Sequence, residues 1–211
     1  MSQNDVLNRG NCFKLLAVCF YEPDKKLFIE EQVCENLKTL LGTWAVDAAK
    51  AAGNMGLSME NCTQDQLSVD HAALFIGPFE LIAAPYGSVF TEKHRQVMGD
   101  STIEVLKFYE EVGLSVDTKE PPDHIAIELE FMHHLCVKEV EAEASGDHTE
   151  IAKFSALQAT FFKSFLHWVP QFCDSIKKGT TNPFYTDLGD CLKKFMVTCQ
   201  QIYEFDRETA A

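Results

Sequence analysis

The chain has 211 residues, of which 46% are hydrophobic and 24% charged, and a formal net charge of −14. This is a globular composition, long enough to remove roughly 70% of the unfolded surface from water without disulfides or metals as staples. Lysines and arginines gather only in isolated pairs such as Lys25-Lys26, Lys177-Lys178 and Lys193-Lys194. That argues against a nucleic-acid partner, and the lack of any apolar run near the roughly 20 residues of a bilayer span argues against stable membrane insertion.

The N-terminus, MSQNDVLNRGNCFKLL, has no basic segment followed by a long apolar stretch, so no secretory signal is expected and the chain reads as soluble and intracellular. Eight cysteines at 12, 19, 34, 62, 136, 173, 191 and 199 include no Cys-x-x-Cys pair. Most sit in apolar stretches and read as reduced, buried small hydrophobes rather than metal ligands or disulfides.

In chain order the periodicity is helical. Phe13, Leu16, Cys19 and Phe20 give an apolar face over 12–20, ending near Pro23. From Leu27, Val33, Leu37, Leu40, Leu41, Trp44 and Val46 recur at three- and four-residue steps. Thr63-x-x-Gln66 is a capping box opening a short helix through Leu67, Leu74 and Phe75. Residues 77–91, with two prolines, two glycines and several aromatics, break the pattern. Helix resumes from about Asp100 to Val112, with Gly113 as its stop, and again from about Pro122 to Ala144, before Gly146. Asp147 caps a helix carrying Ile151, Phe154, Leu157, Phe161, Phe165 and Trp168, disturbed at Pro170. A last helix starts at Pro183. With no strand alternation, repeat or linker, residues 1–211 read as one all-α domain, a helical bundle.

Two segments stand out. The first brings Phe75, Phe79, Tyr86 and Phe90 together in an irregular loop, suited either to binding or to folding down onto the core. It has no phosphate-cradling glycine motif. The second is Glu120-Pro-Pro-Asp-His-Ile-Ala-Ile-Glu128-Leu-Glu130-Phe-Met-His133-His134. Here the two prolines launch a helix with Asp123 in its first turn, and His124 and Glu128, four apart, share a face and can pair. Asp123 then serves as a cap, as half of an acid/base pair with His124, as part of a metal site with Glu130-x-x-His133, or as part of a partner-binding site. The acid/base reading lacks a nucleophile motif, and the di-iron reading lacks a second Glu-x-x-His.

Together these segments resemble the TorD/DmsD family of redox-enzyme maturation chaperones. The resemblance rests on Leu74-Phe75-Ile76-Gly77-Pro78, Ala84-Pro85-Tyr86-Gly87-Ser88-Val89-Phe90 and Glu120-Pro121-Pro122-Asp123-His124. Phe165-Leu-His-Trp168-Val-Pro170-Gln-Phe172 and Asn182-Pro183-Phe184-Tyr185 follow in the same order. Gly87, where many relatives have Glu, is more like the DmsD branch. The resemblance implies a TorD-like all-helical bundle and a cytoplasmic, non-enzymatic chaperone with no metal and no cofactor of its own. Its partner would be the twin-arginine signal peptide, and the precursor, of a molybdopterin-containing oxidoreductase of the dimethyl sulfoxide reductase type. The chaperone would hold that precursor for cofactor insertion before export, acting as a monomer or a domain-swapped dimer. The implied peptide-binding residues are Phe75, Phe79, Tyr86, Ser88, Phe90, Asp123 and His124. A helical di-iron-like enzyme and an assembly factor without leader binding are the alternatives.

Overall fold

A computed structural model describes residues 3–42, 44–77, 81–115 and 120–210. Eleven α-helices follow one another, and no β-strand occurs among the described residues. They are α1 (Gln3–Val18), α2 (Lys25–Glu30), α3 (Val33–Leu41), α4 (Val46–Asn61), α5 (Gln64–His71), α6 (Gly87–Thr91), α7 (Asp100–Glu111), α8 (Ile125–Ser145), α9 (His148–Phe165), α10 (Val169–Gly179) and α11 (Pro183–Ala210). The main packings are α1 on α8 and α3, α4 on α3 and α11, α8 on α9, and α10 on α11. Phe13, Leu16, Leu37, Met55, Leu135, Phe161, Phe172, Leu192 and Phe195 are among the fully buried side chains of one continuous core. No helix of the described residues is long and apolar enough to cross a membrane.

The helix ends show where local chemistry decided the fold. Thr63 Oγ1 accepts from Gln66 N (3.1 Å) and Gln66 Oε1 accepts from Thr63 N (2.8 Å), completing the capping box. Gly113 and Gly146 take left-handed φ values of 81° and 74°, as helix stops require. The periodic run from Leu27 is not one helix. It breaks at Gln32, which takes φ 50°, and again between Leu41 and Val46, giving α2, α3 and α4. Neither break is marked by a proline, so tertiary packing overrides local propensity there. Pro170 lies in the first turn of a new helix, where its missing N–H costs nothing. All eight cysteines are buried and unpaired, and burial pushes the Cys136 thiol up to about 11 and Cys34 and Cys191 up to about 12. They behave as packing residues.

The start of α8 differs from the sequence expectation. The helix begins at Ile125, and its cap is His124, whose Nδ1 accepts from Ala126 N at 3.2 Å. Asp123 lies outside the first turn, because its backbone and carboxylate are both used by another segment.

Candidate functional site

Two irregular strips, 85–88 and 123–125, are bound side by side. Ile125 N donates to Pro85 O (2.8 Å) and Gly87 N to Asp123 O (2.9 Å), on either side of an isolated antiparallel bridge between Tyr86 and His124. Asp123 Oδ2 accepts from Ser88 N at 2.7 Å, so this carboxylate holds the start of α6. A short charge-assisted bond of this kind is stronger than a neutral one. Tyr109 fixes the strip from below by donating to Pro122 O at 3.0 Å.

Beneath the strips is a sealed polar hub. Asp123 and Glu128 are each 1% exposed and Ser88 is fully buried. Glu128 Oε2 accepts from Trp168 Nε1 at 3.1 Å, and Trp168 stacks on Phe90 with ring centroids 5.2 Å apart. The expected His124–Glu128 pairing is therefore not made. Glu128 turns inward to the indole, and His124 turns to the backbone of its own helix. Burial and the nearby Asp123 push the Glu128 carboxyl well above the usual carboxylate range. Asp123 Oδ1 and Ser88 Oγ have no hydrogen-bond partner among the described residues. Gly87 is the place where Trp168 comes over the strip. A Cβ there would lie 2.9 Å from Trp168 Nε1, so any side chain would displace the indole.

Above the strips the same residues present a different surface. His124 is buried between two tyrosines, Tyr21 stacked on it (6.4 Å, 14°) and Tyr86 edge-on (5.4 Å, 68°). Tyr21 OH donates to Glu130 Oε1 at 2.9 Å and Tyr86 OH to Glu120 Oε2 at 3.0 Å. Desolvation pushes His124 down to about 4, against the opposing pull of Glu120 and Asp123, so the ring is neutral at pH 7. Burial and Glu120 raise the Tyr86 phenol to about 12, and burial and Glu130 raise Tyr21 further.

Of the residues singled out in the sequence, Tyr86, Ser88, Asp123 and His124 form one constellation, joined through Trp168 by Phe90. Phe75 belongs to the layer behind it. It is buried among Phe20, His71, Phe172 and Tyr185. Phe79 lies outside the described residues. Asp123, read as a candidate cap of its own helix, caps α6 instead. Sequence reasoning did not single out Tyr21, Glu120, Glu130 and Trp168 as members of the site. Trp168 and Glu120 carried a signal through their places in recognisable motifs, Glu130 stood only as a candidate metal ligand with His133, and Tyr21 carried none. Among the described residues, no three His, Cys, Asp or Glu side chains are grouped to hold a metal ion.

A mostly apolar concavity of about 310 Å³ lies between α9 and α11, lined by Phe162, Leu166, Pro170, Met196, Val197 and Tyr203. It flanks the α9–α10 turn that carries Trp168.

Comparison with known proteins places this arrangement. Residues 31–174, which contain both strips and Trp168, match the family model described as nitrate reductase delta subunit. The chain is 29% identical over 155 residues to the chaperone protein TorD of Vibrio parahaemolyticus, covering 72% of this chain and 70% of that protein. It is 27% identical over 148 residues to the Tat proofreading chaperone DmsD of Salmonella typhi, covering 69% of this chain and 66% of that one. A solved structure described as a putative redox enzyme maturation protein from Archaeoglobus fulgidus superposes with a TM-score of 0.58 at 22% identity, covering 89% of this chain and 93% of that chain, and supports the helical fold. The family model reaches across both strips and the Trp168 turn, and the chain belongs to the TorD/DmsD family of redox-enzyme maturation chaperones, which are not enzymes.

Proposed function

We propose that this chaperone acts in the cytoplasm, binding the twin-arginine leader of a molybdopterin-containing oxidoreductase of the dimethyl sulfoxide reductase type and holding the precursor for cofactor insertion before export. The observation that carries the reading is the pairing of strips 85–88 and 123–125. It brings the half-buried Tyr86 and the buried His124 together above the sealed Ser88 and Asp123, with Glu120 and Glu130 exposed at the rim of one acidic, aromatic site. A leader offers cationic guanidinium groups followed by an apolar stretch. The net charge of −14 steers such a cationic segment toward the chain. The apolar stretch suits the concavity between α9 and α11, each buried Leu or Phe contributing roughly 1.5–3 kcal/mol before ordering costs.

Two measurements together test this. The tagged chain, purified from its own host growing by anaerobic respiration, is expected to carry the precursor of a molybdenum-containing oxidoreductase with its leader intact. Titration calorimetry with that leader as a synthetic peptide is expected to show a 1:1 complex and a negative heat-capacity change from apolar burial. Replacing the apolar stretch with Ser and Gly is expected to abolish most of that change. Affinity that ignores this replacement, or a co-purifying precursor without a leader, would contradict the reading.

A further inference from the structure

Strip 85–88 is held on one side by strip 123–125, and on another it bears against Trp168 in the α9–α10 turn. Trp168 is buried, at 3% exposure. Its Nε1 donates to Glu128 Oε2 at 3.1 Å, its ring stacks on Phe90 of α6 at 5.2 Å and 19°, and it meets Phe172 of α10 at 5.4 Å. The indole passes so close to Gly87 that a Cβ there would stand 2.9 Å from Nε1 and 3.3 Å from Cε2. Gly87 is not in the left-handed region, so what calls for glycine at this position is the indole and not the backbone.

These contacts leave the ring little freedom. Stacking on Phe90 sets its plane, and the hydrogen bond sets its rotation within that plane, because an indole has one donor. The acceptor is itself sealed, so a ring that turned away would leave a buried donor and a buried acceptor both unpaired. The edge of the indole is therefore a fixed wall behind Gly87.

The wall reaches both strips. Strip 85–88 runs into α6, which carries Phe90, and strip 123–125 runs into α8, which carries Glu128. Trp168 holds one residue of each helix, so it clamps together the two elements from which the strips emerge. The same turn has another side. Leu166, His167 and Pro170, the sequence neighbours of Trp168, line the concavity between α9 and α11. One short piece of chain thus bears on the strips with one side chain and lines the concavity with the next.

We infer that Trp168 is a positioning residue of the leader site. From the α9–α10 turn it sets strip 85–88, and with it Tyr86, in the binding position, with Glu128 as the anchor of the indole and Gly87 as the gap that admits it. This rests on the leader-binding reading and adds to it a residue that acts from behind the site without touching the leader.

The test is calorimetric titration of the full chain with a synthetic leader peptide, one Arg-Arg pair followed by a Leu-Ala stretch, well below the melting temperature of every variant. A residue that only supports the fold would move the melting temperature and leave the affinity of the folded chain unchanged. Trp168→Phe, which keeps a ring and loses the donor, and Glu128→Leu, which loses the acceptor, are each expected to weaken binding about fivefold, the worth of one ordinary hydrogen bond. Glu128→Gln keeps an acceptor and should recover most of what Glu128→Leu loses. Gly87→Ala should weaken binding by a similar factor in the unmodified chain but add no further loss to Trp168→Phe, whose smaller ring leaves room for the methyl group. An NMR signal gives a reading that needs no substitution in the hub. The chain has two tryptophans, and Trp44→Phe identifies the indole N–H signal of Trp168, which is expected to shift with the peptide to a 1:1 end point. That signal decides the matter if a variant fails to fold. Unchanged affinity in Trp168→Phe, additive losses for Gly87→Ala and Trp168→Phe, or an indole signal that stays in place while the peptide binds would overturn the positioning role and leave leader binding standing. No binding by the unmodified chain would overturn both.

Discussion

Helix α8 carries two buried polar networks that differ in one respect, the balance of charge. Toward its C-terminal half, the Arg9 guanidinium donates to Gln158 Oε1 at 2.9 Å and lies 5.0 Å over the Tyr203 ring. Gln158 in turn accepts from Cys136 and Tyr203 and donates to Glu139 at 2.6 Å. A cation, an acid and neutral groups from α1, α8, α9 and α11 close on one another. At the N-terminal end, the groups acting on Glu128 and His124 are Asp123, Glu120, Trp168 and His71, with no lysine or arginine among them. One network balances its charge within the chain and ties the bundle together. The other has acid in excess, hydrogen-bonding capacity unused, and an open aromatic face above it. A buried polar group without a counterpart is costly, so this end of α8 carries a stability cost that the other end does not.

The largest expected effect comes from breaking the charge-balanced network. Arg9→Met keeps much of the buried stem but removes a charged donor from Gln158 and the cation over Tyr203. It should cost about 2–3 kcal/mol, a fall in melting temperature of roughly 4–12 °C for a chain of this size. Once folded, the variant should bind leader as before. A loss of binding at unchanged stability would show that the two networks are not separate in role.

A smaller, pH-dependent effect sharpens the contrast at the other end. Burial and Asp123 raise the Glu128 carboxyl above its ordinary value of 4.5, which it keeps in the unfolded chain. Its contribution to stability therefore falls as pH rises through that region. Glu128→Gln keeps an acceptor for Trp168 Nε1 and does not titrate, so its melting temperature relative to the unmodified chain should rise between pH 5 and pH 8. His124 has the opposite sign and acts in acid. Its native pKa is near 4 and its unfolded value near 6.5, so stability is lost as pH falls between them. His124→Asn, which retains a capping oxygen, should remove that acid-side loss. Thermal unfolding of the three chains from pH 4 to pH 8 checks both signs. Curves that remain parallel across this range would show that neither group is held away from its ordinary pKa.

Most of the bundle was legible in the sequence because its signals are local. The capping box at Thr63, the glycine stops at 113 and 146 and the proline start at 183 each act within a few residues. The breaks at Gln32 and after Leu41 were not read from the sequence: no proline marks either, Gly42 ends α3, and α3 and α4 pack on different partners, α1 and α11. At the site, the two irregular strips announced themselves through Pro85, Gly87, Pro121 and Pro122, and four of the residues named from them do meet. Their roles were not local. Asp123 was placed in the first turn of its own helix because nothing near it in sequence shows Ser88 N, 35 residues away, as its partner. Phe75 was read as a loop aromatic although it is a core residue. Tyr21 and Glu130 are 109 positions apart, and no pattern along the chain joins them.

The central claim is that the paired strips 85–88 and 123–125 form the leader-binding site, and it is tested most directly by NMR of the ¹⁵N-labelled full chain during titration with the leader peptide. The backbone amide signals of the two strips are expected to shift to a 1:1 end point, while those around Arg9 in the other network stay in place. Saturable binding that leaves the strip signals at their free positions would contradict the account, because the leader would then be held elsewhere on the chain.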